Sequence, residues 1–156
     1  MNKYSIAMIT YDDMDTIQDT LDNVKPYITS DFVIVDGGST DGTLETLKKF
    51  RDEVGEDKVL LLEKKWNLDN TKEEWRVLID ADEKLEHLLW NQLPWHIWDA
   101  ERNDIDCISL PRINIVDGLD EEMVEKQGWQ LSYFQWVNYP DYQQRIYKRN
   151  CRYSGR

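Results

Sequence analysis

Apolar positions along this chain alternate between two periods. Tyr4–Thr10, Phe32–Val35, Val59–Leu62 and Arg76–Ile79 are short, largely apolar runs, and turn residues bound them. Runs of this length predict buried strands. Met14, Ile17, Leu21 and Val24 fall at helical spacing, with a start at Asp12 or Asp13 and a stop at Pro26. Asp41 is placed to cap a second helix, with Leu44, Leu47 and Val54 on its inner side. Strand, helix, strand, helix and strand in that order predict an α/β fold, a mostly parallel sheet flanked by helices.

The second half is less regular. Leu85, Leu88, Leu89 and Gln92 predict a helix, which Pro94 restarts with Trp95 and Trp98 in its next turn. Trp90, Trp95 and Trp98 could line a sugar-stacking wall, but their spacing on a helical stretch favours core packing. Ile105–Ile115 reads as extended and Asp117–Gly128 as an acidic loop with some helix. Trp129–Val137 reads as an aromatic strand and Gln143–Lys148 as a late one.

A chain of 156 residues with no repeat or linker predicts one domain, 1–156. Its formal net charge is −12, from 19 Lys and Arg against 31 Asp and Glu. Such a field repels nucleic acid and anionic lipid. It would also repel a nucleotide diphosphate, which would need a bridging cation. Cys107 and Cys151 make no disulfide framework or zinc site, and His87 and His96 match no metal spacing. His87 reads as a helix-surface residue and His96 as part of the Trp-rich packing region. No apolar run approaches a membrane span, and the first residues do not read as a signal peptide, so a cytoplasmic location is expected.

Two of the apolar runs stop abruptly at an aspartate. Val33-Ile34-Val35-Asp36-Gly37-Gly38-Ser39-Thr40-Asp41-Gly42-Thr43 is the first, and Val77-Leu78-Ile79-Asp80-Ala81-Asp82-Glu83 the second. The carboxyl ends of strands line the ligand crevice of an open α/β sheet. Gly37 and Gly38 permit tight backbone geometry before a helix. Asp80 and Asp82 offer the oxygen ligands that Mg2+ or Mn2+ takes, usually one or two carboxylates beside substrate phosphates. Alone, the first string is also an ordinary strand-to-helix turn and the second a pair of surface acids.

Together these strings resemble the family 2 glycosyltransferases of the GT-A fold, a Rossmann-like α/β architecture. The resemblance covers nearly the whole chain, in a compact or truncated form. It implies a nucleotide-binding part at about 1–100 and an acceptor-side part at about 101–156. It implies inverting transfer of a sugar from a nucleotide-diphosphate sugar, a UDP-sugar first among them, to a glycan or other hydroxyl acceptor. Asp36 would contact the base or ribose, with Gly38 and Ser39 in the same donor site. Asp82 would bind Mn2+ or Mg2+ directly, and Asp80 the metal or the ribose. Thr10, Tyr11 and Asp12 would lie against the base, with Tyr11 stacking on it. The alternative for that segment is that Tyr11 packs and Asp12 or Asp13 caps a helix.

Late in the chain, Pro140-Asp141-Tyr142-Gln143-Gln144-Arg145-Ile146 resembles a family segment of the form P-D-x-Q-x-R. It places Asp141 as the general base for the acceptor hydroxyl, with Gln143 or Arg145 holding the acceptor or the diphosphate. The plain alternative for Asp141 is a Pro-Asp turn before a strand.

The chain departs from the family in three places. Gly37 stands where many members carry a second acidic residue. The stretch Glu63–Trp75 is short for the family; its basic residues Lys64, Lys65 and Lys72 have no assignable role, and Thr71-Lys72-Glu73-Glu74 reads as a capping box. Arg152–Arg156 stands where many relatives continue into a His-Glu pair, and no histidine follows His96. A non-catalytic nucleotide-sugar-binding module is therefore a second reading. A third is a metal-dependent phosphatase built on Asp41-Gly42-Thr43-Leu44, but Ser39 stands where its second carboxylate is required.

Overall fold

The computed structural model describes residues 3–63 and 70–151. Strands β1 (Ser5–Thr10), β2 (Phe32–Asp36), β3 (Val59–Glu63) and β4 (Trp75–Asp80) alternate with helices α1 (Ile17–Val24) and α2 (Thr43–Val54). Helix α3 (His87–Arg102), β5 (Cys107–Asn114), α4 (Glu121–Gln127) and β6 (Val137–Lys148) follow. The six-stranded sheet has the order β3-β2-β1-β4-β6-β5. β1 pairs in parallel with β2 and β4, β2 in parallel with β3, and β6 antiparallel with β4. The predicted α/β class is the observed one.

β2 is buried along its whole length and β1 everywhere but Ile9. That is why both read as apolar runs rather than alternating ones. At the amino ends of the strands a buried network replaces apolar packing. The Ser5 hydroxyl donates to Asp31 Oδ1 at 2.6 Å, and the Lys72 and Glu73 amides donate to Asp31 Oδ2 and Ser5 Oγ at 3.0 and 2.9 Å. This network ties down the segment leading into β4.

The chain folds as two compact units, one of residues 1–107 and 145–156 and one of residues 108–144. The first unit holds β1–β4, α1–α3 and the end of β6. The second holds most of β5, α4 and the start of β6.

Several predicted elements shift. Helix α1 begins at Ile17, a turn later than Asp12 or Asp13, because loop contacts engage the amides of Asp13 and Met14. On α2, Leu47 and Phe50 are buried whereas Leu44 and Val54 are half-buried. Pro94 lies inside one continuous helix and does not restart it. The apolar face of Trp90, Leu93, Ile97 and Ala100 runs straight past it, and this burial outweighs the roughly 3 kcal/mol that an interior proline costs. That face excludes Trp95 and Trp98, which are 58% and 44% exposed, so the core reading holds for Trp90 alone. His87 is exposed and meets the Tyr27 hydroxyl at 2.9 Å, as a surface residue should.

Trp129–Val137 is not a strand. A single bridge joins Leu131 to Val137, and Gln135 breaks the extension with φ 62° while its amide turns back to Ser132. No helix follows the Thr71–Glu74 capping box, since β4 begins at Trp75. Thr71 accepts from Arg76 Nε at 2.8 Å, and Lys72 sits at the amino ends of the strands, its ammonium on the Asp57 carbonyl. Lys64, Lys65 and Arg152–Arg156 lie outside the described residues.

Candidate functional site

The site grows from the register of the parallel strands. Thr10 at the end of β1 is level with Asp36 at the end of β2, and Ile9 with Asp80 at the end of β4. The two acidic tips therefore flank the tip of β1 at one edge of the sheet, as strand order β2-β1-β4 requires.

The loops after β1 and β2 are stitched to each other. Asp36 is fully buried, and its carboxylate accepts from the amides of Gly38 and Ser39 at 2.8 and 3.0 Å and from the Ser39 hydroxyl at 2.5 Å. Ser39 Oγ in turn accepts from the Asp12 amide, and Asp12 Oδ1 from the Thr40 amide at 2.7 Å. Asp12 holds φ 52° to make this reciprocal pair, a conformation that Asp tolerates better than most residues. Thr10 is buried, and Asp13 Oδ2 accepts from its hydroxyl and from the Tyr11 amide. Of the residues assigned to the nucleoside, Asp36, Ser39, Thr10 and Asp12 thus shape the loops, and Tyr11, 61% exposed, presents a free face. A Cβ on Gly37 would meet the Tyr11 side chain at 3.1 Å. Glycine in place of the family's second acid lets that ring lie against the loop.

Replacing Asp36 by Ala strands two amides and a hydroxyl at once. We expect a loss of about 2 kcal/mol in urea unfolding, from removal of charge-assisted hydrogen bonds.

Asp41 serves the same seam. Its Oδ1 accepts from the Thr43 hydroxyl at 2.7 Å and the Thr43 amide at 3.0 Å, and its Oδ2 from the Met14 amide at 3.0 Å. It caps α2 from one position before Gly42, whose φ of 106° turns the chain into the helix. The Thr43 hydroxyl bond, with the amide bonds behind it, holds the Asp41 carboxyl below the usual range. Both of its oxygens are engaged by the loop, which disfavours a nucleophilic role.

The tip of β4 carries the second half of the site. Arg145, 7% exposed, donates through Nη2 to Asp80 Oδ2 at 2.7 Å and to Glu83 Oε1 at 2.5 Å. Burial opposes its charge, but the bonds and charges of Glu83 and Asp80 outweigh this and raise its pKa. The turn is closed by the Glu83 amide on the Asp80 carbonyl at 3.0 Å. Helix α1 pins it from below: Thr20 Oγ1 donates to the carbonyls of Ala81 and Glu83 at 2.8 and 3.2 Å, and the Asn23 side chain brackets Leu85. Asp82 is exposed, and among the described residues no hydrogen bond or ion pair engages it.

Thr20, Asn23 and Glu83 escaped the sequence reading. Thr20 left a signal: it is a polar residue on the buried stripe of Ile17, Leu21 and Val24.

No group of three or more His, Cys, Asp and Glu side chains converges as a metal cage among the described residues. Asp82, with Asp80 beside it, nonetheless fits a cation that takes one or two protein carboxylates and completes its shell with phosphate and water.

The second unit holds Asp141 on β6. Its Oδ2 accepts from Arg112 Nη2 and Nε at 2.7 and 3.0 Å, and its Oδ1 from Gln143 Nε2 at 2.8 Å. The bond from Gln143, with those from Arg112 and Asn114 behind it, holds its carboxyl below the usual range against the opposing effect of burial. Asp141 lines a cleft of about 510 Å³ with Arg112, Asn114, Trp129 and Tyr142.

Sheet order, acidic strand tips and stitched loops together define a GT-A-like α/β domain. The chain belongs to glycosyl transferase family 2, whose model matches residues 5–151. No curated protein matches the chain in sequence. Among solved structures it is similar to S. aureus TarS, at 18% identity and a TM-score of 0.61, over 94% of this chain and 28% of that one. It is also similar to the mannosyltransferase PcManGT from Pyrobaculum calidifontis, solved with GDP-Man and Mn2+. That match has 19% identity and a TM-score of 0.56, over 94% of this chain and 44% of that one. The chain thus spans less than half the length of either. No described helix is long and apolar enough to cross a membrane.

Proposed function

We propose that this chain transfers a sugar from a nucleotide-diphosphate sugar to a hydroxyl acceptor, with inversion at the anomeric carbon. One observation carries the reading: the register of β1, β2 and β4 sets Tyr11, the Asp36 loop and the Asp80–Asp82 turn at one edge of the sheet. Tyr11 walls the base, and Asp36, Gly38, Ser39 and Asp12 keep the loop beneath the nucleoside in shape. Asp82 and Asp80 hold Mn2+ or Mg2+, which when bound neutralises the diphosphate leaving group. Arg145 adds a fixed positive charge beside them. Asp141 accepts the proton of the acceptor hydroxyl as its oxygen bonds to the anomeric carbon and the bond to the diphosphate breaks. UDP is the first candidate nucleotide; the GDP-Man complex of PcManGT makes GDP the second.

Calorimetric titration of UDP, GDP and dTDP, with Mn2+ and then with EDTA, tests the donor site. One nucleotide should bind, and only with the metal. Asp82→Ala should weaken that binding at least about 100-fold, more than the loss typical of residues merely supporting a metal ligand. Unchanged binding removes the site.

A second reading, a nucleotide-sugar-binding module without turnover, draws on the Arg112 pairing that occupies Asp141. It predicts the same titration and no sugar transfer.

A further inference from the structure

We infer that Arg145 is a resident competitor for the donor-site cation, occupying Asp80 and Glu83 so that the metal enters only together with a nucleotide diphosphate. The inference rests on the reading of Asp80 and Asp82 as the cation site and adds an order of binding to it.

The turn Asp80–Glu83 carries three carboxylates on four consecutive residues. They do not converge as a three-carboxylate cage, and Arg145 engages Asp80 and Glu83 while Asp82 stays exposed. The antiparallel pairing of Ile146 with Val77 and Tyr147 with Arg76 brings Arg145 to this end of β4. Its guanidinium neutralises two of the three acids, at 2.7 Å from Asp80 and 2.5 Å from Glu83. The arrangement is built rather than incidental. Arg145 is buried, Glu83 Oε2 also accepts from the Asp80 amide at 3.3 Å, and Thr20 fixes the turn's carbonyls.

A fixed cation beside Asp80 repels a second one; the Arg145 and Glu83 side chains, 9% and 15% exposed, are shielded from solvent, and the Asp80 side chain, 46% exposed, is only partly so. A diphosphate reverses the balance, because its charge attracts both the metal and the guanidinium. Metal and nucleotide then raise each other's affinity by the same factor, as linkage requires. Arg145 is a positioning residue in this scheme and need not touch the reacting atoms.

The test counts free Mn2+ by its electron paramagnetic resonance signal. Mn2+ is titrated alone and then with UDP, GDP or dTDP present, and Asp82→Ala serves as the blank for surface carboxylates. Arg145→Gln should bind Mn2+ alone at least about 10-fold more tightly than the unmodified chain, from removal of one nearby unit charge. Arg145→Lys, which keeps the charge, should stay near the unmodified value. The gain in Mn2+ affinity caused by nucleotide should shrink in Arg145→Gln. If that variant does not fold, Glu83→Gln is compared with Glu83→Gln/Arg145→Gln, which removes the Glu83 charge together with that of Arg145; the double variant should bind Mn2+ more tightly. Equal or weaker Mn2+ binding on loss of the Arg145 charge overturns the inference while leaving the cation site intact. Absence of Mn2+ binding by the unmodified chain even with nucleotide overturns the cation site and the inference together.

Discussion

Asp141→Asn should leave nucleotide binding unchanged and lower sugar transfer by about 10²–10⁴-fold, the usual contribution of a positioned general base. The substitution keeps shape and removes the carboxylate charge proposed to take the proton, together with its ion pair to Arg112. The asparagine oxygen can still accept from Arg112 and Asn114, and Gln143 can turn its amide so that its carbonyl accepts from the new Nδ2, so the second unit should stay folded. Measuring donor binding by calorimetry and transfer by release of nucleoside diphosphate separates the two effects. Retained transfer would remove Asp141 as the base.

The pH profile carries further information about the same residue. The base works only when ionised, and hydrogen bonds from Gln143, Arg112 and Asn114 hold the Asp141 carboxyl below the usual range. The acid limb of kcat/KM should therefore lie below the ordinary carboxylate value, with no loss from this group between neutral pH and that limb. Arg112→Gln removes the two guanidinium bonds and the neighbouring charge. It should move the limb to higher pH.

The second large effect concerns stability. Trp90→Ala should cost about 3–5 kcal/mol, the range for deleting a buried aromatic side chain. Trp90 is 1% exposed and stacks on Tyr27 at 5.2 Å with the rings 7° from parallel, and on Tyr4 at 6.3 Å. Its indole N–H donates to Asn23 Oδ1 at 3.1 Å, the atom that also receives the Leu85 amide. The loss is therefore apolar area, a stacked pair and a polar contact together. Urea unfolding should show a lower midpoint with the slope retained, and heating a fall of roughly 10 °C. Trp95→Ala and Trp98→Ala, on the exposed side of the same helix, should change stability by less than about 1 kcal/mol. Equal losses at all three would contradict the assignment of the core face.

Much of the donor half was legible in the sequence because its signals are short-range. Phe32–Asp36 and Trp75–Asp80 are apolar runs ended by an acid, and turn residues follow each within a few positions. Their character depends on burial from both faces, which any parallel sheet supplies. The second half was less legible. Trp129–Val137 has strand-forming residues, yet the left-handed backbone at Gln135 and Asn138 bends it away from extension. Aromatic composition alone cannot register that.

Residues near in sequence therefore determined the α/β class, the four strands β1–β4, the existence of the helices and the acidic tips, since period, capping and turn chemistry act over a few bonds. Pairing between distant segments decided the rest. Asp13 and Met14 give their amides to Thr43 and Asp41 of the neighbouring loop, so α1 begins late. Thr20 and Asn23 of α1 hold a turn far along the chain, and Arg145 meets Asp80 only because β6 runs antiparallel to β4. Those contacts form when the sheet brings remote strands together, and no local pattern in the sequence encodes their distances.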